Sequence, residues 1–286
     1  MKIGVLVSGA LGLDLLKHLS SENNITFVMT DNKSRGIIEF CEEKNWAVFI
    51  GNPRKGKSES FLKRKEIDVL VSVNYLFLIE ENLIELPKKL AINIHGSLLP
   101  KYRGRTPHVW AIINNEKETG ITAHLIEKGC DTGPIIEQVK LSIEAEDTGA
   151  RILEKFKMLY APIVDAVFEK IASNKLQPIP QDNLKATFFG KRTPDDGRIN
   201  WNWQKERIHN WVRAQAYPYP GAFSHYNKEK VIIDAIEFTE DGYHNEMVNG
   251  QILSSEPLKV KSPNGVVQVK KIRNNQFTFQ IGELLK

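Results

Sequence analysis

The sequence predicts an α/β protein: a mostly parallel sheet flanked by helices over residues 1–180, then a smaller, mainly β domain over 200–286, an open barrel or a set of hairpins. Three observations predict this. Up to residue 180, apolar runs alternate with segments of helical periodicity, and most runs are apolar on both faces, as parallel strands covered on two sides are. Beyond residue 200, short β-rich runs follow one another at turn signals. Between them, 181–199 is rich in Pro, Gly and charge and reads as a linker crossing the surface.

KIGVLV (2–7) is the first strand. SGALG follows, then a helix with Leu11, Leu15, Leu16 and Leu19 on one stripe. ITFVMTD (25–31), WAVFI (46–50) and IDVLVSVNY (67–75) are strands, separated by helices over 34–45 and 58–66. KLAINIHGSLL (89–99) is a strand running out into a loop, and TPHVWAIINNE (106–116) is a helix with Pro107 in its first turn. This succession is Rossmann-like. ETGITAHLIE (118–127) and PIIEQVKLSI (134–143) read as an antiparallel pair around the loop KGCDTG, and 148–174 as a long helix capped by Asp147 or Thr148. After the linker come a helix (202–215), a hairpin (221–238) turning at NKEK, and strands over 250–273 with a second hairpin signal at PNG.

Hydrophobic residues make up 41% and charged residues 26%, ordinary values for a globular protein with a sizeable core. The net charge of +4 suits an anionic small molecule such as a phosphate ester and is too mild to argue for nucleic acid. Two cysteines, Cys41 and Cys130, make no disulfide framework and no CxxC, which predicts a reducing, cytoplasmic location and no metal site. The N-terminal apolar stretch carries Asp14 and Lys17, unlike a signal peptide, and no run of 18 apolar residues predicts a membrane span.

Two places carry candidate chemistry. The first is strand–SGALG–helix with Asp31, which lies 22 positions after Gly9 and mimics a nicotinamide-dinucleotide unit. One of the three expected glycines is missing. The glycines also serve as the tight turn of any doubly wound sheet, and Ser8 and Gly9 could hold a phosphate of another ligand. The second is Asn93 and His95. Two apart on a strand, they face one side, at the C-terminal end where parallel sheets present ligand sites.

INIHGSLLPKYRG, then a short helix, then ETGITAHLIEKGCDTG, resembles the folate-dependent formyltransferase family. In that family Asn-x-His-x-Ser-Leu-Leu-Pro is followed by an Asp-Thr-Gly loop; here 38 positions separate Asn93 from Asp131, and the likeness covers most of 1–180. The resemblance implies Asn93, His95 and Asp131 as catalytic residues and 10-formyltetrahydrofolate as co-substrate, with tetrahydrofolate released. Elementary chemistry agrees. Amine attack on a formyl carbon makes an oxyanion that the Asn93 amide and a protonated His95 stabilise. Asp131 would fix the His95 tautomer, raise its pKa and accept a proton from the amine, directly or through water.

By the same resemblance the folate lies beside 72–79 and 125–131, at Tyr75, Leu76, Phe77, Ile126 and Gly129, although Tyr75 and Phe77 read equally well as core aromatics. RGRTPHVWAI is similar to the members that formylate nucleotide-linked (dTDP, UDP or GDP) amino sugars, for glycan or O-antigen lipopolysaccharide biosynthesis. A diphosphate suits Arg103 and Arg105, with Ser8, Gly9, His108, Tyr217 and Tyr219 as further substrate contacts. Tyr217 and Tyr219 stand in a Pro-fixed loop that either closes over the acceptor or simply joins helix to hairpin. Edge strands in the C-terminal part suggest a homodimer. No membrane or nucleic-acid partner is expected. The alternatives are a methionyl-tRNA formyltransferase and, from another class, a nucleotide-binding dehydrogenase or binding module.

Overall fold

The computed structural model describes residues 1–274 and 277–286. They form two compact units. The first comprises 1–104, 120–141 and 155–189; the second comprises 105–119, 142–154 and 190–286.

The first unit is built on a seven-stranded sheet. Its strands are β1 (Lys2–Val7), β2 (Asn24–Thr30), β3 (Val48–Ile50), β4 (Val69–Val73), β5 (Leu90–His95), β7 (Glu118–Leu125) and β8 (Ile135–Ser142), in the spatial order β3-β2-β1-β4-β5-β7-β8. The five strands from β3 to β5 are parallel, and β7 runs antiparallel to β5. β1 and β4 are buried almost throughout, which is why both are apolar on both faces. The chain leaves β1 in one direction for β2 and β3 and returns to its other side for β4, so the strand order reverses at β1.

Helix α1 (Gly9–Glu22) packs on β1, β2 and β4 with the predicted leucine stripe buried. Gly9 has φ +66, a conformation that favours glycine. A Cβ on Gly12 would lie 2.8 Å from Val7 Cβ, so this glycine lets helix and strand approach. Helices α2 (Arg35–Glu43), α3 (Glu59–Leu62) and α4 (Glu81–Ile84) follow. α3 stops short of the predicted 66 because Lys63 is no longer helical and Arg64 has φ 65. β4 ends before Tyr75 because Asn74 turns to φ 52. Phe27, Met29, Ile67, Leu70 and Leu83 are the centre of one core cluster; burying such side chains is worth about 1.5–3 kcal/mol each.

Two short strands had no signal in the sequence. β6 (Arg103–Gly104) pairs in parallel with β9 (Phe188–Phe189), inside the predicted linker. Gly104 has φ +100, and a Cβ there would fall 2.3 Å from the Phe189 carbonyl oxygen. Long helix α6 (Gly149–Ala172) gives residues to both units, and its first turn is capped by the Thr148 hydroxyl, which accepts from Arg151 N–H at 3.2 Å.

The second unit contains α5 (Pro107–Ile113), α7 (Lys205–Ala214) and a five-stranded antiparallel sheet: β10 (Ala222–Tyr226), β11 (Glu229–Thr239), β12 (Ile252–Ser255), β13 (Leu258–Ser262) and β14 (Gly265–Ile272), in the order β10-β11-β14-β13-β12. α7 packs on β11 and β14 through Ile208, Trp211 and Val212, and α5 packs on α7. Both predicted hairpins form. Asn227 and Lys228 take positive φ between β10 and β11, as a two-residue hairpin turn with right-handed strands demands. Pro263 and Asn264 join β13 to β14.

Candidate active site

The alternation of β5 and its antiparallel pairing with β7 build the site. Asn93 stands opposite His124, and His95 opposite Thr122. All four therefore lie on directly facing positions of two strands, within reach across the ladder. Asp131 comes from the loop between β7 and β8.

The contacts converge. His95 Nδ1 lies 3.6 Å from Asp131 Oδ2, and His124 Nε2 lies 3.6 Å from Asp131 Oδ1. Asn93 Nδ2 and His124 Nε2 are 3.1 Å apart. His95 Nε2 is 2.8 Å from the Tyr102 carbonyl oxygen, and His124 Nδ1 is 2.7 Å from that of Leu125. A carbonyl oxygen only accepts, so each ring carries its proton on the nitrogen facing that carbonyl. In neutral His124, Nε2 is then the acceptor for the Asn93 amide. That bond uses one Asn93 N–H and orients the other.

Asp131 is fixed as firmly. Its Oδ2 accepts from Gly104 N–H at 2.9 Å, and Cys130 Sγ lies 3.4 Å from the same oxygen. Its backbone sits at φ 54, a left-handed conformation that aspartate tolerates better than most residues. Gln181 Nε2 donates to the carbonyls of Asp131 at 2.9 Å and Gly133 at 2.7 Å. A Cβ on Gly133 would lie 1.9 Å from the Leu125 carbonyl oxygen, so the loop admits no side chain there.

Electrostatics follow from burial and charge. Burial opposes charge on Asp131, but the electrostatic pull of His95 and the Gly104 N–H outweigh it and hold the carboxyl far below the usual range. Burial lowers the His95 pKa, and His124 lowers it further; Asp131 and the Tyr102 carbonyl pull it up without restoring it. Asp131 thus acts on His95 in the expected direction, yet desolvation wins and the net shift is downward. His95 is a neutral imidazole at rest, with a counter-charge already facing the nitrogen that would take a second proton. Such an arrangement supplies an amide donor, an imidazole that takes and gives protons, and a permanent carboxylate.

The expected folate-side residues are in the same unit. Tyr75 is half-buried, edge-on to Phe77 at 5.4 Å between centroids, and its buried hydroxyl has its pKa raised by desolvation. Leu76 is exposed, as is its neighbour Leu78. Ile126 and Tyr75 pack against one core cluster, and Lys128 pairs with Glu81 at 2.7 Å, so 74–81 and 126–128 are neighbours. Gly129 is exposed, and a Cβ there would lie 2.2 Å from Thr132 Oγ1.

The expected substrate residues fall in several places. Arg103 does not face outward. It is 2% exposed and directs Nε and Nη2 at Gln181 Oε1 (3.1 and 2.7 Å) and Nη2 at Asn183 Oδ1 (2.9 Å), so a diphosphate would have to displace these bonds. Ser8 is buried and its carbonyl accepts from Asn74 Nδ2 at 3.0 Å. The Gly9 N–H donates to Ser34 Oγ at 2.8 Å, and that hydroxyl donates to Asp31 at 2.6 Å. Asp31 also accepts from Lys33 N–H at 2.8 Å. In the second unit Arg105 is exposed, and buried His108 places Nε2 2.7 Å from Tyr219 Oη. Burial pushes the Tyr219 hydroxyl pKa up to about 12. Tyr217 is 70% exposed.

His124 and Gln181 were not anticipated. For His124 a signal existed: a histidine in the otherwise apolar strand ITAHLI, in phase with Thr122. Gln181 gave none, because only the fold brings it to Asp131.

Residues 14–164 match the formyl transferase family, and residues 191–284 match the formyl transferase C-terminal domain. The chain belongs to the formyl transferase family. This formyl transferase has the fold of WlaRD, a sugar 3N-formyl transferase solved in the presence of dTDP and 5-N-formyl-THF, with 22% identity, a TM-score of 0.70, and coverage of 96% of this chain and 99% of that one. An N-formyltransferase from Helicobacter canadensis, in complex with folinic acid and dTDP-3-aminofucose, is 20% identical with a TM-score of 0.70 over 95% of this chain and 98% of that one. The methionyl-tRNA formyltransferase of Clostridium thermocellum is 17% identical with a TM-score of 0.57 over 96% of this chain and all of its own.

Proposed function

We propose that this formyl transferase moves a formyl group from 10-formyltetrahydrofolate to the amine of a nucleotide-linked amino sugar. The amine nitrogen attacks the formyl carbon, a C–N bond forms, and the bond to the folate nitrogen breaks. The amine proton leaves by way of Asp131 or His95 and ends on the departing tetrahydrofolate. The free Asn93 amide N–H stabilises the oxyanion between these events, and the His95 ring adds to it once its Nδ1 has taken up the amine proton.

The observation that carries this reading is that His95 and His124, the latter holding the Asn93 amide, both face the Asp131 carboxylate in the first unit, with that carboxylate kept charged and the His95 imidazole kept neutral. Two structures that this fold resembles, a sugar 3N-formyl transferase and an N-formyltransferase, were solved with a folate and with dTDP or a dTDP-amino sugar, which supports the choice of both substrates. The mild positive charge suits a nucleotide diphosphate better than a tRNA. A dehydrogenase is less well supported, because residues 14–164 and 191–284 both match formyl transferase domains. The reading extends to a cytoplasmic homodimer whose product enters glycan or lipopolysaccharide O-antigen assembly.

Incubation with 10-formyltetrahydrofolate and a panel of dTDP-, UDP- and GDP-amino sugars, with charged initiator tRNA in parallel, tests the proposal. The expected product is a sugar nucleotide heavier by one formyl group. Formylation of the methionyl-tRNA alone would transfer the assignment to the tRNA-directed members, and reduction of a nicotinamide would overturn formyl transfer.

A further inference from the structure

Asn93 and His95 sit on a strand, but Asp131 sits on a loop, and a loop needs holding if its carboxylate is to stay aimed. The hold comes from one dipeptide and one glutamine. Gly104 N–H donates to the Asp131 carboxylate at 2.9 Å. The preceding residue, Arg103, reaches the same aspartate by a second route. Its Nε and Nη2 both donate to Gln181 Oε1, at 3.1 and 2.7 Å. Gln181 Nε2 then donates to the Asp131 carbonyl at 2.9 Å and the Gly133 carbonyl at 2.7 Å.

The amide cannot be turned round. A guanidinium only donates and backbone carbonyls only accept, so Gln181 must present oxygen to Arg103 and nitrogen to the loop. Both ends are doubly bonded, and the guanidinium is planar, so the relay fixes direction as well as distance. The arginine is dry, spends its charge on amide oxygens and lies 5.3 Å from the Phe188 ring centroid. β6 and β9 anchor it from behind. The held loop is one that would relax readily, since Asp131 occupies a left-handed conformation.

We propose that Gln181 and Arg103 are positioning residues, a relay that keeps the Asp131 carboxylate directed at His95. This rests on the formyl-transfer reading for its catalytic consequence but not for its structural one. A shift of about 1 Å in a reacting group can cost on the order of 10²-fold in rate.

The test uses the full chain carrying Gln181→Met, which keeps the side-chain length, adds no charge near His95 and removes the bonds at both ends of the amide. Arg103→Lys is the milder second variant, with charge kept and the paired bond lost. Two quantities are read: kcat and KM for 10-formyltetrahydrofolate with the accepted amino sugar, and the titration of the His95 ring by imidazole 15N NMR without substrates. The relay predicts a fall in kcat of about 10–100-fold with KM within twofold, and a His95 midpoint moved further down in both variants. An unmoved His95 midpoint overturns it, whether or not kcat falls, because general loosening would slow turnover without acting on that contact. Wild-type protein inactive toward every acceptor would defeat the formyl-transfer reading alone, since the His95 titration still reports on the relay.

Discussion

Asn93 and His95 are the two polar side chains of β5, and each has its own partner, His124 for Asn93 and the Tyr102 carbonyl for His95. Asn93→Ala and His95→Ala should each lower kcat by about 10²–10³-fold, the usual loss of about 2.7–4 kcal/mol when one oxyanion donor is removed. Their melting temperatures should stay close to wild type. His124→Phe should lower kcat less, through a disoriented Asn93 amide, and should leave KM nearly unchanged. Stability should respond to acid in two stages. His95 has a depressed pKa in the fold, so below about pH 6.5 the unfolded chain takes up a proton that the fold resists, and stability drops as pH falls. His209, also depressed by burial, adds to this stage. Asp131, with a strongly depressed pKa, stabilises fully above about pH 4 and loses that contribution as pH falls further. Denaturation curves at stepped pH should show the first stage reduced by His95→Gln and the second by Asp131→Asn. The strand spacing of Asn93 and His95 is readable from the sequence because side-chain period in a strand is fixed. The relation of either residue to His124 depends on the β5–β7 register, which spacing alone does not set.

At the scale of elements, the tightest constraints are backbone approaches. Gly104→Ala would place a methyl 2.3 Å from the Phe189 carbonyl at φ +100, and Gly133→Ala would place one 1.9 Å from the Leu125 carbonyl. Each should cost about 1–3 kcal/mol or more in urea unfolding, and each should reduce turnover because both glycines flank the Asp131 contacts. In the second unit the loop 217–221 depends on Arg273. That residue donates to Asp234 through Nε at 3.0 Å and Nη2 at 2.5 Å, and to the Tyr219 carbonyl at 2.7 Å. Asp234 also accepts from Tyr217 N–H at 3.1 Å. Asp234→Ala should destabilise the chain by about 1–3 kcal/mol, the cost of a buried partner left unmade, with little change at the site of the first unit. The two hairpins are legible because their turn residues carry the signal. The β6–β9 pair is not: two residues from each side of a long chain separation meet only because Arg103 and Tyr102 are held there, the latter stacked on Phe189 at 5.0 Å.

At the scale of the whole molecule, the alternation of strands and helices declares a mostly parallel sheet, because strands covered on both faces must be apolar on both. What composition does not encode is membership of a unit. Segments 105–119 and 142–154 group with the C-terminal residues, since α5 packs on α7, and nothing in the local pattern of TPHVWAIINNE names its packing partner. Likewise the identity of Arg103 as an inward brace rather than a phosphate clamp depends on Gln181, 78 positions away. Among the described residues no helix is long and apolar enough to cross a membrane. The site residues of the first unit come from 93 to 131 plus Gln181, so its chemistry belongs to the arrangement and not to one motif.

The most direct test of that arrangement is a double-mutant cycle on kcat with Asn93→Ala and Asp131→Asn. Groups acting as one unit on one carbonyl give non-additive losses, so the double variant should be little slower than the slower single variant. Losses that multiply, as for two independent positions, would contradict the account.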